Sequence, residues 1–203
     1  MLILASSSPQ RRALLQQAGY EFRTIPPRLE AECGVCSQET PPEYVARLAL
    51  QKAADVAHRF ETSPGTGSAA ISGHTAAGRP LIIGCDTVAE CMGQILGKPA
   101  DQQHAREMLR LLSGREHHVY SGLCVWRWPA EPHVSVAVTK LKMEELSDAQ
   151  LDEYLASGLW EGKAGAFGYQ DRVGWLTIVE GSESNVIGLP LELLADMLAV
   201  TSS

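Results

Sequence analysis

Short apolar runs and helical stripes alternate along the chain. Leu2-Ile3-Leu4-Ala5 is a continuous apolar run that predicts a buried strand. It passes at once into Ser6-Ser7-Ser8-Pro9, where serine before proline marks a helix start. The Ser8 oxygen can cap the helix, and Pro9 at the first helical position gives up only an N–H that would be unpaired anyway. Leu14 and Leu15 follow, and Gly19 ends this helix. Pro41-Pro42-Glu43 opens a second helix with Val45, Leu48, Ala49, Ala53 and Val56 on one stripe. Lys52 falls inside that stripe. Residues 61–80 are rich in Gly, Ser, Ala and Thr without periodicity and read as a flexible surface loop within one domain covering 1–203.

Leu81-Ile82-Ile83-Gly84-Cys85 predicts a second buried strand, ending at the polar pair Asp86-Thr87. A helix over Gln102 to Leu112 places Ala105, Met108, Leu109 and Leu112 on one face and stops at Ser113-Gly114. Strands are predicted near 117–126 and 133–142. Ser147 caps a helix with Leu151, Tyr154 and Leu155, and a Gly-rich run from 162 to 168 precedes a strand near 174–180. Pro190 starts a last helix with Leu191, Leu194, Met197 and Leu198 inward. Strands alternating with helices, then consecutive strands, indicate an α/β chain with a mixed sheet. There is no internal repeat.

Composition narrows the function classes. The chain has 203 residues, enough for one sizeable core or two small lobes. Lys+Arg 17 against Asp+Glu 24 gives a net charge of −7, a field that repels polyanions and disfavours nucleic acid as a partner. No stretch reaches the roughly 18–20 apolar residues of a bilayer span, and no secretory leader is legible, so a cytoplasmic protein without a membrane partner is expected. The five cysteines suit a reducing compartment. Cys33-Gly-Val-Cys36 lacks the second close pair of a zinc site, with His104, His117 and His118 elsewhere. No G-x-S-x-G motif occurs.

Several side chains offer chemistry. The first strand–turn–helix collects backbone N–H groups, the hydroxyls of Ser6 and Ser8, and Arg11 or Arg12. That set suits a phosphate or carboxylate, and equally an ordinary capped helix with surface arginines. It is not a Walker loop. Only five lysines occur, at 52, 98, 140, 142 and 163. Lys98 is framed by Gly97 and Pro99, and Lys163 by Gly162 and Ala164-Gly165-Ala166. Lys52 on its apolar stripe either meets an anion or snorkels to an edge. Such scarce cations in an acidic chain make most sense around a multiply charged ligand such as a triphosphate. Asp86 is a cation ligand, a general base or a cap. Glu30 and Glu32 either join Asp86 around a hard cation or are solvated glutamates.

Leu4-Ala5-Ser6-Ser7-Ser8-Pro9-Gln10-Arg11-Arg12 resembles the opening of the Maf family, the septum-formation-inhibitor-like nucleoside triphosphate pyrophosphatases. Arg47-Leu48-Ala49 with Gln51-Lys52-Ala53, Gly84-Cys85-Asp86-Thr87-Val88, Gly97-Lys98-Pro99, Leu112-Ser113-Gly114, Lys163 to Gln170, and Asn185 to Pro190 resemble its later motifs in the same order. The resemblance implies a two-lobed, ITPase-like α/β fold around an elongated mixed sheet with a central cleft, and a homodimer. It also implies hydrolysis of a nucleoside triphosphate to the monophosphate and diphosphate with a divalent cation, magnesium or manganese. By position, Asp86 resembles the catalytic or metal-side carboxylate, with Glu30 and Glu32 as further metal candidates. Ser8, Arg11, Lys52 and Lys98 resemble the triphosphate-holding set, with Ser6, Gln10, Arg12 and Lys163 beside it, and Thr87 and Gln170 resemble the base-discriminating positions. Gln10 stands where the dTTP/UTP branch has arginine and the 7-methyl-GTP branch often has tryptophan. Leu29-Glu30-Ala31 stands where two adjacent acids are common. The motifs around Asp86-Thr87 and Gln170 favour the pyrimidine branch, with a 7-methyl-GTP pyrophosphatase or a non-catalytic nucleotide-binding regulator as alternatives.

Overall fold

In the computed structural model the described residues are 1–28, 39–61 and 79–201. Glu30, Glu32, Cys33, Cys36 and most of the predicted 61–80 loop lie outside them. Strand β1 (Leu2–Ala5) leads into α1 (Pro9–Gln17), β2 (Phe22–Thr24) and α2 (Pro41–Glu61). Next come β3 (Leu81–Cys91), β4 (Gln94–Leu96) and α3 (Gln102–Leu112). The long strands β5 (Glu116–Arg127) and β6 (His133–Met143) precede α4 (Asp148–Ala156), β7 (Leu176–Glu180), α5 (Glu183–Ile187) and α6 (Leu191–Thr201). The fold is mixed α/β. Strands follow the order β2-β1-β3-β5-β6-β7, with β4 paired to β3 off this path. The β1–β2 and β1–β3 pairs are parallel, as crossovers through α1 and α2 require, whereas β3–β4 and β6–β7 are antiparallel. No helix among the described residues is long and apolar enough to cross a membrane.

The chain forms two compact units. The first comprises Met1–Asp86, Gly122–Val136 and Leu191–Ser203, and the second Thr87–Ser121 and Ala137–Pro190. The first has a core of Ile3 and Ala5 from β1, Ala49, Ala53, Val56 and Ala57 from α2, and Ile82 and Cys124. Small residues on α2 let it lie close to the strands. A Cβ on Gly84 would stand 2.1 Å from the Ala49 carbonyl oxygen, and one on Gly122 2.1 Å from that of Val45. Glycine at both positions is what permits contact between strand and helix backbones. In the second unit α3 and α4 bury Met108, Leu109, Leu112, Leu151 and Leu155 against Leu141, Met143 and Phe167.

The strand predicted to stop at Asp86-Thr87 runs on to Cys91. Met92 and Gly93, at φ 52° and 78°, turn it into β4 in the two-residue hairpin geometry whose twist suits paired strands. Asp86 and Thr87 are therefore in mid-strand, where successive side chains point to opposite faces. Three short elements, β2, β4 and α5, carry no periodic signal of their own.

Candidate functional site

In the first unit the turn after β1 is organised by its serines. Ser8 is the N-cap of α1, its Oγ accepting from the Arg11 N–H at 3.4 Å and donating to Gln10 Oε1 at 3.0 Å. The Ser8 N–H donates to Ser6 Oγ at 3.1 Å. The guanidinium of Arg11, 9% exposed, donates from Nη1 to the same oxygen at 3.3 Å. Arg12 is exposed. With no acidic residue in its first turn, α1 leaves its positive end unopposed by its own sequence. Ser6, Ser8, Gln10 and Arg11 are thus brought together at the carboxyl end of a parallel strand, where α/β sheets hold their ligands.

Lys52 and Asp86 form the second part. The β1–β3 register ends at the pair Ala5–Gly84, and β3 continues beyond the end of β1. Asp86, two residues beyond Gly84, projects from the same face, the face that touches Ala49 and Ala53 of α2. Lys52 lies beside Ala53 and one turn from Ala49, so its ammonium reaches the carboxylate. Nζ donates to Oδ1 at 2.6 Å, with side-chain exposures of 7% and 14%. The choice left open for Lys52 is resolved: it meets an anion.

The second unit holds the remaining candidates. Thr87 Oγ1 lies 2.8 Å from Ser121 Oγ and 3.3 Å from the Gly188 carbonyl oxygen, and its single O–H donates to one of them. Ser121 Oγ lies 3.4 Å from the Asn185 carbonyl oxygen, so its proton goes either to that carbonyl or to Thr87 Oγ1. The Asn185 side chain, 1% exposed, donates to Thr139 Oγ1 at 2.9 Å and to the Val119 carbonyl at 3.2 Å. Lys98 is exposed on the loop after β4, which is tied to the Gly-rich segment by the Gly165 N–H donating to the Gly97 carbonyl at 3.0 Å. Lys163 is held by Asp171, and Gln170 Oε1 is buried without a hydrogen-bond partner among the described residues. Sequence reasoning missed Ser121, Tyr154 and Asp171. For Asp171 the one available signal was its place as the first acid after Lys163.

A hard divalent cation takes one or two protein carboxylates and completes its shell with water and phosphate oxygens. Asp86 fits that role. Lys52 occupies Oδ1, and among the described residues Oδ2 accepts no hydrogen bond. No cluster of three or more His, Cys, Asp or Glu side chains suited to an all-protein metal cage occurs among the described residues. Glu30 and Glu32 lie outside them.

Comparison with known proteins agrees with this architecture. The Maf-like protein family matches residues 1–201. A relative from Rhodopirellula baltica named dTTP/UTP pyrophosphatase is 52% identical over 199 residues, covering 97% of this chain and 80% of that protein. One of the same name from Dictyoglomus thermophilum is 36% identical over 97% of this chain and 94% of its own. A third, from Thermococcus kodakarensis, is 35% identical over 96% and 93%. Among solved structures, the Staphylococcus aureus Ham1 protein matches in fold with a TM-score of 0.52 at 11% identity, over 98% of each chain.

Proposed function

The chain belongs to the Maf-like family, and from that premise we propose that residues 1–203 act as one nucleoside triphosphate pyrophosphatase domain hydrolysing dTTP and UTP to the monophosphate and diphosphate. The observation that carries the reading is the buried Lys52–Asp86 pair, with the α1 N-terminus in the same unit. The α1 N–H groups, the Ser8 hydroxyl and the Arg11 guanidinium bind phosphate oxygens, as helix N-termini and arginine forks do. Lys98, exposed and without an ion-pair partner among the described residues, adds a further cation for the triphosphate. Lys52 orients the Asp86 carboxylate through Oδ1, and Oδ2 either takes the proton of the attacking water or faces the cation. Asp86 would hold a divalent cation, which when bound would supply charge neutralisation on the phosphate oxygens. Cleavage of the α–β anhydride then releases diphosphate. Thr87 and Gln170 read the base, Gln170 through the hydrogen-bonding capacity that its buried Oε1 retains.

The test is to incubate the purified protein with magnesium and dTTP, UTP, CTP, dGTP or 7-methyl-GTP and to separate products by ion-exchange chromatography. Monophosphate and diphosphate from dTTP and UTP are expected. Turnover of 7-methyl-GTP alone overturns the base assignment. Tight nucleotide binding without products, under magnesium and under manganese, overturns the enzymatic reading in favour of a regulator.

A further inference from the structure

The second unit contains a buried ion pair that the chemistry above leaves unused. The side chains of Asp171 and Lys163 are 6% and 12% exposed. Lys163 Nζ donates to both carboxylate oxygens, at 2.6 and 2.5 Å, and the Tyr154 hydroxyl donates to Oδ2 at 2.9 Å. Such a pair adds little net stability, because desolvating the two charges offsets their attraction. What it secures is the course of the Lys163 side chain.

That course runs over Gly168. A Cβ on Gly168 would stand 2.9 Å from Lys163 Cδ and Cε and 2.7 Å from Gln170 Nε2. The lysine stem and the Gln170 amide therefore share the space above a bare backbone, and Nζ lies one bond beyond Cε. Gln170 Oε1 is buried and accepts no hydrogen bond among the described residues. A buried acceptor left unmet is costly, and it persists where a ligand completes it.

A primary amide carries an acceptor and a donor side by side, and a half-turn of its terminal bond exchanges them. In one setting it complements the N3–H and adjacent carbonyl of thymine or uracil. In the other it complements the N3 acceptor and amino group of cytosine. An amide that discriminates between them must be held in one setting. An unpaired ammonium beside it favours the setting that turns Oε1 toward the cation.

We propose that Asp171 is a positioning residue for base selection: by holding the Lys163 ammonium it leaves Gln170 Oε1 to accept the N3–H of thymine or uracil. This rests on Gln170 reading the base, as in the proposed function. The test measures kcat and KM for dTTP and dCTP in wild type, Gln170→Ala, Asp171→Asn and the double variant Asp171→Asn/Lys163→Met, with unfolding midpoints recorded for each. Wild type prefers dTTP and Gln170→Ala loses the preference. Asp171→Asn is expected to lower the dTTP:dCTP ratio of kcat/KM about tenfold, through KM for dTTP more than through kcat. The double variant, with no ammonium to release, is expected to regain the ratio to within about threefold, a rescue that a merely structural role does not produce. If Gln170→Ala loses the preference while a folded Asp171→Asn keeps it, the proposal is overturned and the base reading stands. A Gln170→Ala enzyme that keeps the preference overturns the base reading, and the proposal with it. Should Asp171→Asn fail to fold, the double variant decides: a folded double variant without the preference overturns the proposal, and one that retains it supports the proposal.

Discussion

Replacing Gly84 by alanine tests whether strand–helix contact sets the Lys52–Asp86 geometry. The new Cβ would lie 2.1 Å from the Ala49 carbonyl oxygen, 3.0 Å from the Ala53 nitrogen and 3.1 Å from the Ala53 Cβ. Two of these are backbone atoms of α2, so no rotamer change relieves the contact. Restoring an ordinary separation requires α2 and β3 to part by about 1 Å, an overpacking that costs about 1–3 kcal/mol. That is a large share of the roughly 5–15 kcal/mol stabilising a typical domain. The same movement acts on the 2.6 Å contact between Lys52 Nζ and Asp86 Oδ1, because Lys52 adjoins Ala53 and Asp86 follows Gly84 by two residues. Parting by about 1 Å takes that contact beyond hydrogen-bond range and is expected to lower turnover about 100-fold. Urea unfolding and diphosphate release read the two effects on the same preparation. Gly97→Ala, at a site with nothing within 4 Å, is the control for stability alone. Wild-type stability in Gly84→Ala would refute the packing argument, and lost stability with unchanged turnover would refute its link to the site.

Asp86→Asn and Lys98→Ala are each expected to reduce dTTP turnover at least 100-fold, and normal turnover in either one removes that residue from the site; Lys98→Ala, at an exposed position, keeps its unfolding midpoint, whereas Asp86→Asn lowers it because the Lys52 ammonium stays buried without its carboxylate. Ser8→Ala deletes the α1 cap and should cost about 1 kcal/mol in urea unfolding, with no loss expected if the Arg11 N–H finds another acceptor. His117 is 1% exposed, and burial pushes its pKa down from 6.5 to about 4. Between those values the unfolded chain binds the proton and the folded chain does not. Its contribution to stability is therefore whole above pH 6.5 and is lost as pH falls toward 4, by roughly 3 kcal/mol in total. An NMR titration of the His117 ring with a midpoint near 6.5 contradicts this.

Periodicity along the chain suffices for α1, α2, α3, α4 and α6, because each of them buries one face and repeats its apolar positions accordingly, and β3 and β5 show as apolar runs because they are buried on both faces. The Ser8 cap and the place of Lys52 on an apolar stripe are legible for the same local reason. Which anion Lys52 meets is not. Its partner is 34 residues away, and the pairing depends on glycine at position 84 letting β3 touch α2. Asp86-Thr87 reads as a single polar pair at a strand end, and only the continuation of β3 to Cys91 and its pairing with β4 separate the two onto opposite faces. β2 and α5 are too short to show a period, and β2 is placed by its parallel pairing with β1. Lys163 shows the limit most plainly. Composition marks it as a scarce cation in a Gly-rich run, whereas its bonds to Asp171, and the tyrosine that joins them, exist only once the segment has folded back on itself. A local pattern records which side of an element is buried, but the identity of a buried charge's counterpart is decided by contacts between elements that the chain order does not place together.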